Sequence, residues 1–176
     1  DGSGAATVSA MHAYARTYEL AQIRAGARVL DLGAGTGYGT ALLARLVGPT
    51  GLVRGVELDP ALVARGAPLL RAFANASLIA GDAFLEASWQ VDRGRARARW
   101  DAVVVGFAVA EIPPEFFEWM GDATLVIPRG PRGAQRLVVA RRVRARGQGL
   151  EGAAAPIRIE EHDRVEYVLA RREVPE

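Results

Sequence analysis

The chain has 176 residues, with 22 basic and 20 acidic side chains and a formal net charge of +2. That length supports one domain with a substantial core. It contains no cysteine and every basic residue is Arg, which excludes disulfides, thiolate chemistry, lysine Schiff bases and lysine general bases. The pI near 9.5 is not a nucleic-acid footprint, because a chain without Cys or Lys has little to titrate above neutrality. Half the residues are hydrophobic, yet no run of about 18 apolar residues occurs, so no membrane span is expected. The opening Asp1-Gly2-Ser3-Gly4 is small and polar, shows no signal-peptide pattern and reads as a trimmed edge. A cysteine-free chain of this kind fits a cytoplasmic location.

In chain order, periodicity predicts a helix over 10–23, a strand over 28–32, a helix over 38–47, a strand over 52–57 and a helix over 60–74. Strands over 77–80 and 101–106, a helix over 114–120, and strands over 123–128, 135–143 and 164–171 follow. The first five strands are short and apolar on both faces, as buried parallel strands require. The last two carry Arg at alternate positions and read as an antiparallel edge hairpin joined by the Gly/Ala-rich segment 147–155. The expected fold is α/β: one doubly wound, Rossmann-like, mostly parallel seven-stranded sheet. The whole chain, 1–176, is expected to be one domain: an N-terminal segment over 1–24, a ligand-binding core over 25–128 and edge strands over 129–176.

The most informative segment is Val29-Leu30-Asp31-Leu32-Gly33-Ala34-Gly35-Thr36-Gly37. An apolar strand runs into alternating glycines and then into the helix beginning near Tyr38, the start of a nucleotide-binding βαβ unit. The pattern is G-x-G-x-G rather than G-x-G-x-x-G: Tyr38 stands where a dinucleotide site has its third glycine. Asp31, two residues before Gly33, would repel a pyrophosphate and suits a cationic ligand. About 20 residues on, Glu57 ends the next strand, where an acid can hold ribose hydroxyls. The alternative gives Glu57 to the N-terminal charge of the following helix, but Asp59-Pro60 already supplies an N-cap and a first-turn proline. Leu78-Ile79-Ala80-Gly81-Asp82-Ala83 ends a third strand with Gly-Asp. Gly-Asp alone is also a common turn.

This glycine turn resembles that of class I S-adenosyl-L-methionine (SAM) methyltransferases, whose cofactor carries an ammonium and a sulfonium. By that resemblance the Gly81-Asp82 pair meets the adenine edge. Three further stretches resemble the protein-L-isoaspartate O-methyltransferase family. They are Thr7-Val8-Ser9-Ala10-Met11-His12-Ala13, Trp100-Asp101-Ala102-Val103-Val104-Val105 through Glu111-Ile112-Pro113-Pro114, and Leu125-Val126-Ile127-Pro128 followed by Gln135-Arg136-Leu137-Val138. The resemblance implies that Ser9 is the active-site serine, near the transferring methyl and the substrate carboxylate. It also implies that His12 and Gln135 contact the cofactor. The cofactor-binding set is then Thr7, Val8, His12, Asp31, Gly33, Gly35, Gly37, Glu57, Leu58, Asp82, Ala83 and Gln135. A departure from the family pattern is that Ala10 runs straight into Met11 where a Pro-His pair usually intervenes, so the Ser9 loop is shorter. Another is Gly106-Phe107-Ala108-Val109-Ala110 in place of a Thr/Ala/Pro-rich stretch, which puts Phe107 at the substrate entrance. The family's N-terminal helical segment does not precede the Thr-Val-Ser stretch.

The implied reaction is methyl transfer to a carboxylate of a protein or peptide, with isoaspartyl residues as the expected acceptor and a monomer as the expected state. A carboxylate is already ionised at neutral pH and needs no strong base, which suits a chain with two histidines and neither Cys nor Lys. Without the resemblance, Ser9 reads equally as a helix N-cap and His12 as a packed helix residue. Alternatives are a carboxyl methyltransferase for another small molecule or modified peptide, and a SAM-binding module without activity. A nucleic-acid methyltransferase is disfavoured, because Ile112-Pro113-Pro114-Glu115 lacks the polar residue before and the aromatic after its prolines. His162, among Glu160, Glu161 and Asp163, reads as surface. No His or carboxylate pair has metal-ligand spacing, so no metal is expected. The clusters Arg93, Arg95, Arg97, Arg99 and Arg141, Arg142, Arg144, Arg146 read as solvated faces.

Overall fold

A computed structural model of the chain describes residues 10–85, 99–143 and 155–170. Its elements are α1 (Met11–Leu20), β1 (Arg28–Leu32), α2 (Tyr38–Val47), β2 (Leu52–Glu57), α3 (Pro60–Leu70) and β3 (Ala76–Ala80). There follow β4 (Ala102–Val105), α4 (Pro114–Trp119), β5 (Thr124–Arg129), β6 (Gln135–Arg142) and β7 (Ile157–Val165). The seven strands form one sheet in the order β3-β2-β1-β4-β5-β6-β7. β1 to β5 pair in parallel, whereas β6 pairs antiparallel with β5 and with β7. The expected doubly wound sheet with an antiparallel edge is what forms. The order reverses between β1 and β4, and in open α/β sheets that switch point opens a ligand crevice at the strands' carboxyl ends.

The alternation of side chains along each strand divides the core between two faces. Leu30, Leu32, Val103, Val105, Leu125 and Ile127 pack with Phe116 of α4 on one face. Val29, Val53, Val104, Val126 and Val139 pack with Leu43 and Val47 of α2 on the other. Asp31 follows the Val29 parity, so it points to the α2 face and meets Thr40 there. Helix α3 starts as its sequence dictates: the Asp59 side chain accepts from the Ala61 N–H at 2.8 Å and Pro60 takes the first turn. Among the described residues no helix is long and apolar enough to cross a membrane.

Three expectations need correction. β7 occupies Ile157–Val165 rather than 164–171. Its Glu, His, Asp and Arg side chains hide an edge strand from a hydrophobic pattern, while the apolar run Tyr167–Ala170 belongs to a strap. Helices α1 and α3 end at Leu20 and Leu70, before 23 and 74. Arg141 and Arg142 are not a solvated face: Arg142 donates to the carbonyls of Gly121 at 2.8 Å, Phe117 at 2.6 Å and Ala155 at 3.0 Å, and Arg141 donates to that of Leu20. They tie β6 to the ends of α4 and α1. Arg144, Arg146, Arg93, Arg95, Arg97 and most of the segment 147–155 lie outside the described residues.

Candidate active site

The chain leaves β1 through Gly33, Gly35 and Gly37, at φ of 76°, 58° and 75°. L side chains rarely adopt these values, so the glycine pattern is a requirement of the turn. The N–H groups of Gly33 and Ala34 donate to the Val56 carbonyl at 2.9 and 3.0 Å, pinning the turn to β2. A Cβ on Gly35 would meet nothing within 4 Å, so the bare backbone there faces open space. A Cβ on Gly37 would instead approach Leu70 and Leu78 at 3.0 and 3.1 Å. Gly37 therefore serves the packing behind the turn.

Two carboxylates flank this backbone. Asp31 is only 7% exposed and accepts from Thr40 Oγ1 at 2.7 Å. Burial raises its pKa from 3.8 to about 6, with the Thr40 bond opposing the rise and the Glu57 charge adding to it. Among the described residues no cation pairs with it to offset the cost of burial. Glu57, at the end of β2, accepts from the Gly35 N–H at 2.8 Å and from the Asp59 N–H at 3.0 Å. A carboxylate has about four lone-pair sites, so further donors can still be held. At the end of β3, Asp82 accepts from the Phe84 N–H at 2.8 Å, and the Gly81 N–H donates to the Glu57 carbonyl at 2.9 Å.

His12, Asp31, Gly33, Gly35, Glu57, Leu58, Asp82 and Ala83 all line one crevice of about 1340 Å³ at the carboxyl ends of the strands. His12 stands exposed on α1, which forms one wall and is tied to β7 by Arg16 Nε donating to Asp163 Oδ2 at 2.6 Å. Gln135 is not part of the lining. It is fully buried, and both ends of its amide are used on the backbone of Tyr167: Nε2 donates to the carbonyl at 3.0 Å and Oε1 accepts from the N–H at 2.6 Å. The resemblance implies a cofactor contact at Gln135; among the described residues, its side-chain amide bonds the backbone of a residue 32 positions away. Thr7, Val8 and Ser9 lie outside the described residues.

The crevice also contains residues that sequence reading passed over. Tyr167, Val168 and Leu169 line it from the strap after β7. The strap is anchored by Ala108, whose N–H donates to the Val168 carbonyl at 2.7 Å and whose carbonyl accepts from the Ala170 N–H at 2.8 Å. Tyr18 and Tyr38 contribute aromatic wall, and the Tyr18 hydroxyl donates to the Gly39 carbonyl at 3.0 Å. Phe107 is 9% exposed and stacks on Phe84 at 5.6 Å, and a Cβ on Gly33 would come within 2.6 Å of its ring. It therefore underpins the glycine turn as well as facing the crevice. His162 is half-buried on β7 rather than on the surface. A tyrosine in an apolar run carries no local signal; only the sheet topology brings Tyr167 to the crevice that the glycine turn also lines.

Comparison with known proteins agrees with this geometry. The profile of the family described as protein-L-isoaspartate(D-aspartate) O-methyltransferase matches residues 2–155. A protein-L-isoaspartate O-methyltransferase 2 from Anaeromyxobacter sp. (strain Fw109-5) is 37% identical over 155 residues, covering 86% of this chain and 59% of the relative. A protein-L-isoaspartate O-methyltransferase from Methanothrix thermoacetophila is 36% identical over 136 residues, covering 76% of this chain and 61% of the relative. The chain thus spans about 60% of the length of these curated relatives. A solved protein-L-isoaspartate O-methyltransferase has the same fold, with a TM-score of 0.77 at 20% identity over 98% of this chain and 50% of that one. By the extent of the family match and by these relatives, the chain belongs to the protein-L-isoaspartate(D-aspartate) O-methyltransferase family.

Proposed function

We propose that this chain is a SAM-dependent O-methyltransferase acting on the carboxylate of isoaspartyl residues in proteins or peptides, a protein-repair activity. The observation that carries the reading is the crevice itself: bare backbone at Gly35, a buried acid at Asp31 with no cation partner among the described residues and a partly engaged acid at Glu57 converge on one cavity. That set fits SAM, which has a cationic end and a ribose with two hydroxyls. The names of the relatives support the acceptor class.

SAM supplies an electrophilic methyl on a sulfonium when bound. Asp31 meets the cationic end with charge, Glu57 receives ribose hydroxyls, and Asp82 with Ala83 bounds the base. The protein's contribution is to orient an already ionised carboxylate in line with that methyl and to exclude water from the pair. Well-oriented reactant pairs gain on the order of 7–11 kcal/mol in this way. By family resemblance Ser9 hydrogen-bonds the acceptor carboxylate and holds its direction. The reading takes the chain as one catalytic domain, and its lack of cysteine goes with a cytoplasmic location.

Incubation with methyl-labelled SAM and an isoaspartyl peptide beside its normal aspartyl twin tests the proposal. Base-labile label on the isoaspartyl peptide alone is expected. Equal labelling of both peptides, or of neither, refutes it. Ser9→Ala is expected to keep SAM binding and lose most turnover; an unchanged rate removes Ser9 from the site.

A further inference from the structure

The crevice has two sides set by the sheet order. The glycine turn, Asp31, Glu57 and Asp82 belong to the ends of β1, β2 and β3. The strap Tyr167–Ala170 lies on the other side, bridged to Ala108 just beyond β4. Its Val168 and Leu169 are 63% and 47% exposed while lining the cavity. They are therefore open to an incoming molecule rather than packed away.

What fixes the strap is Gln135. Val165 pairs with Gln135 across β6 and β7, so β7 ends beside this side chain. Two residues later the Gln135 amide takes both the N–H and the carbonyl of Tyr167. A primary amide offers a donor and an acceptor side by side, which matches one extended residue's backbone and substitutes for a missing ladder partner. The amide is wholly buried, so losing it would leave Tyr167 polar groups without compensation. Ala108 grips the next residues from the opposite edge.

We propose that Gln135 is a positioning residue for the methyl acceptor: through the Tyr167 backbone it holds Val168 and Leu169 in place as the acceptor-side wall, without touching the cofactor. This rests on the methyltransferase reading above, since it divides the crevice between donor and acceptor. It assigns Gln135 a role different from direct cofactor contact, and it makes Val168 and Leu169 the acceptor-facing surface, with Tyr167 as the residue that anchors them.

Gln135→Leu and Gln135→Glu are compared with the unaltered chain by three readouts: SAM affinity by calorimetry, KM and kcat for the isoaspartyl peptide, and amide exchange at Tyr167–Ala170. Gln135→Leu is expected to raise the peptide KM about tenfold or more with the SAM Kd within about twofold. Strap amides are expected to exchange faster. Gln135→Glu, whose buried carboxyl in its neutral form offers the Tyr167 N–H an acceptor and the Tyr167 carbonyl a donor, is expected to recover part of the KM, which a general loss of packing would not do. A SAM Kd weakened as much as the KM, or a KM unchanged in Gln135→Leu, overturns the proposal. If the unaltered chain binds SAM but methylates no isoaspartyl peptide, the proposed function fails separately. Gln135 is then judged on exchange alone: faster strap exchange at constant SAM Kd supports it, and unchanged exchange overturns it.

Discussion

Replacing Asp31 by Asn tests the charge logic of the crevice. The Asn carbonyl can still accept from Thr40 Oγ1, so the 2.7 Å bond has a counterpart and only the charge is removed. Asp31 is the case of a carboxyl whose folded-state pKa lies above its unfolded value, about 6 against 3.8. The folded state therefore disfavours the ionised form. The penalty is absent well below pH 3.8, grows as pH rises and is complete above about pH 6. At about 1.4 kcal/mol per pH unit, it amounts to about 1 kcal/mol at pH 4.5 and about 3 kcal/mol at pH 7.5. Without ligand, Asp31→Asn is thus expected to be the more stable protein, by about 2 kcal/mol more at pH 7.5 than at pH 4.5. Urea unfolding of both proteins at the two pH values measures this, since the other carboxylates cancel in the difference. The same variant is expected to bind SAM about ten- to a hundredfold more weakly, from loss of a charge-assisted hydrogen bond. A stability difference that does not change with pH, or unimpaired SAM binding, refutes the reasoning.

Other expectations follow from single contacts. SAM affinity of the unaltered chain is expected to fall as pH drops below about 6, because Asp31 must then release a proton to meet the cation; a flat calorimetric profile from pH 5 to 8 argues against it. Glu57→Ala removes the acceptor for the Gly35 and Asp59 N–H groups and is expected to weaken SAM binding by about 1–3 kcal/mol, with unchanged affinity in calorimetry excluding Glu57 from the site. Gly66→Ala places a Cβ 2.2 Å from the Thr36 carbonyl, so it is expected to shift the glycine turn, cost about 1–3 kcal/mol of stability and weaken SAM binding; thermal melts and titration read both.

The parts of this protein legible in its sequence are those governed by neighbouring residues. The glycine turn could be read because positive φ at Gly33, Gly35 and Gly37 is a local demand. β1 and β2 could be read because buried parallel strands are short and apolar on both faces. The start of α3 could be read because Asp59 and Pro60 act within one turn. Asp31 and Glu57 followed from their places at strand ends, and the structure brings both to the crevice. β7 escaped because an edge strand need not be hydrophobic; its polar residues are partnered sideways, as Arg129 and Arg136 are with Glu161.

Contacts between residues far apart in the chain decided the rest. That the Gln135 amide meets the Tyr167 backbone depends on how β6 and β7 lie in register. That Gly66 must be small depends on α3 crossing the glycine turn at Thr36. That an apolar run after β7 becomes a crevice wall depends on Ala108 emerging from β4 at the right edge of the sheet. Backbone conformation is a local property that residue types announce. Which surfaces meet across the end of a sheet is set by strand order, and strand order is fixed only when the whole core packs.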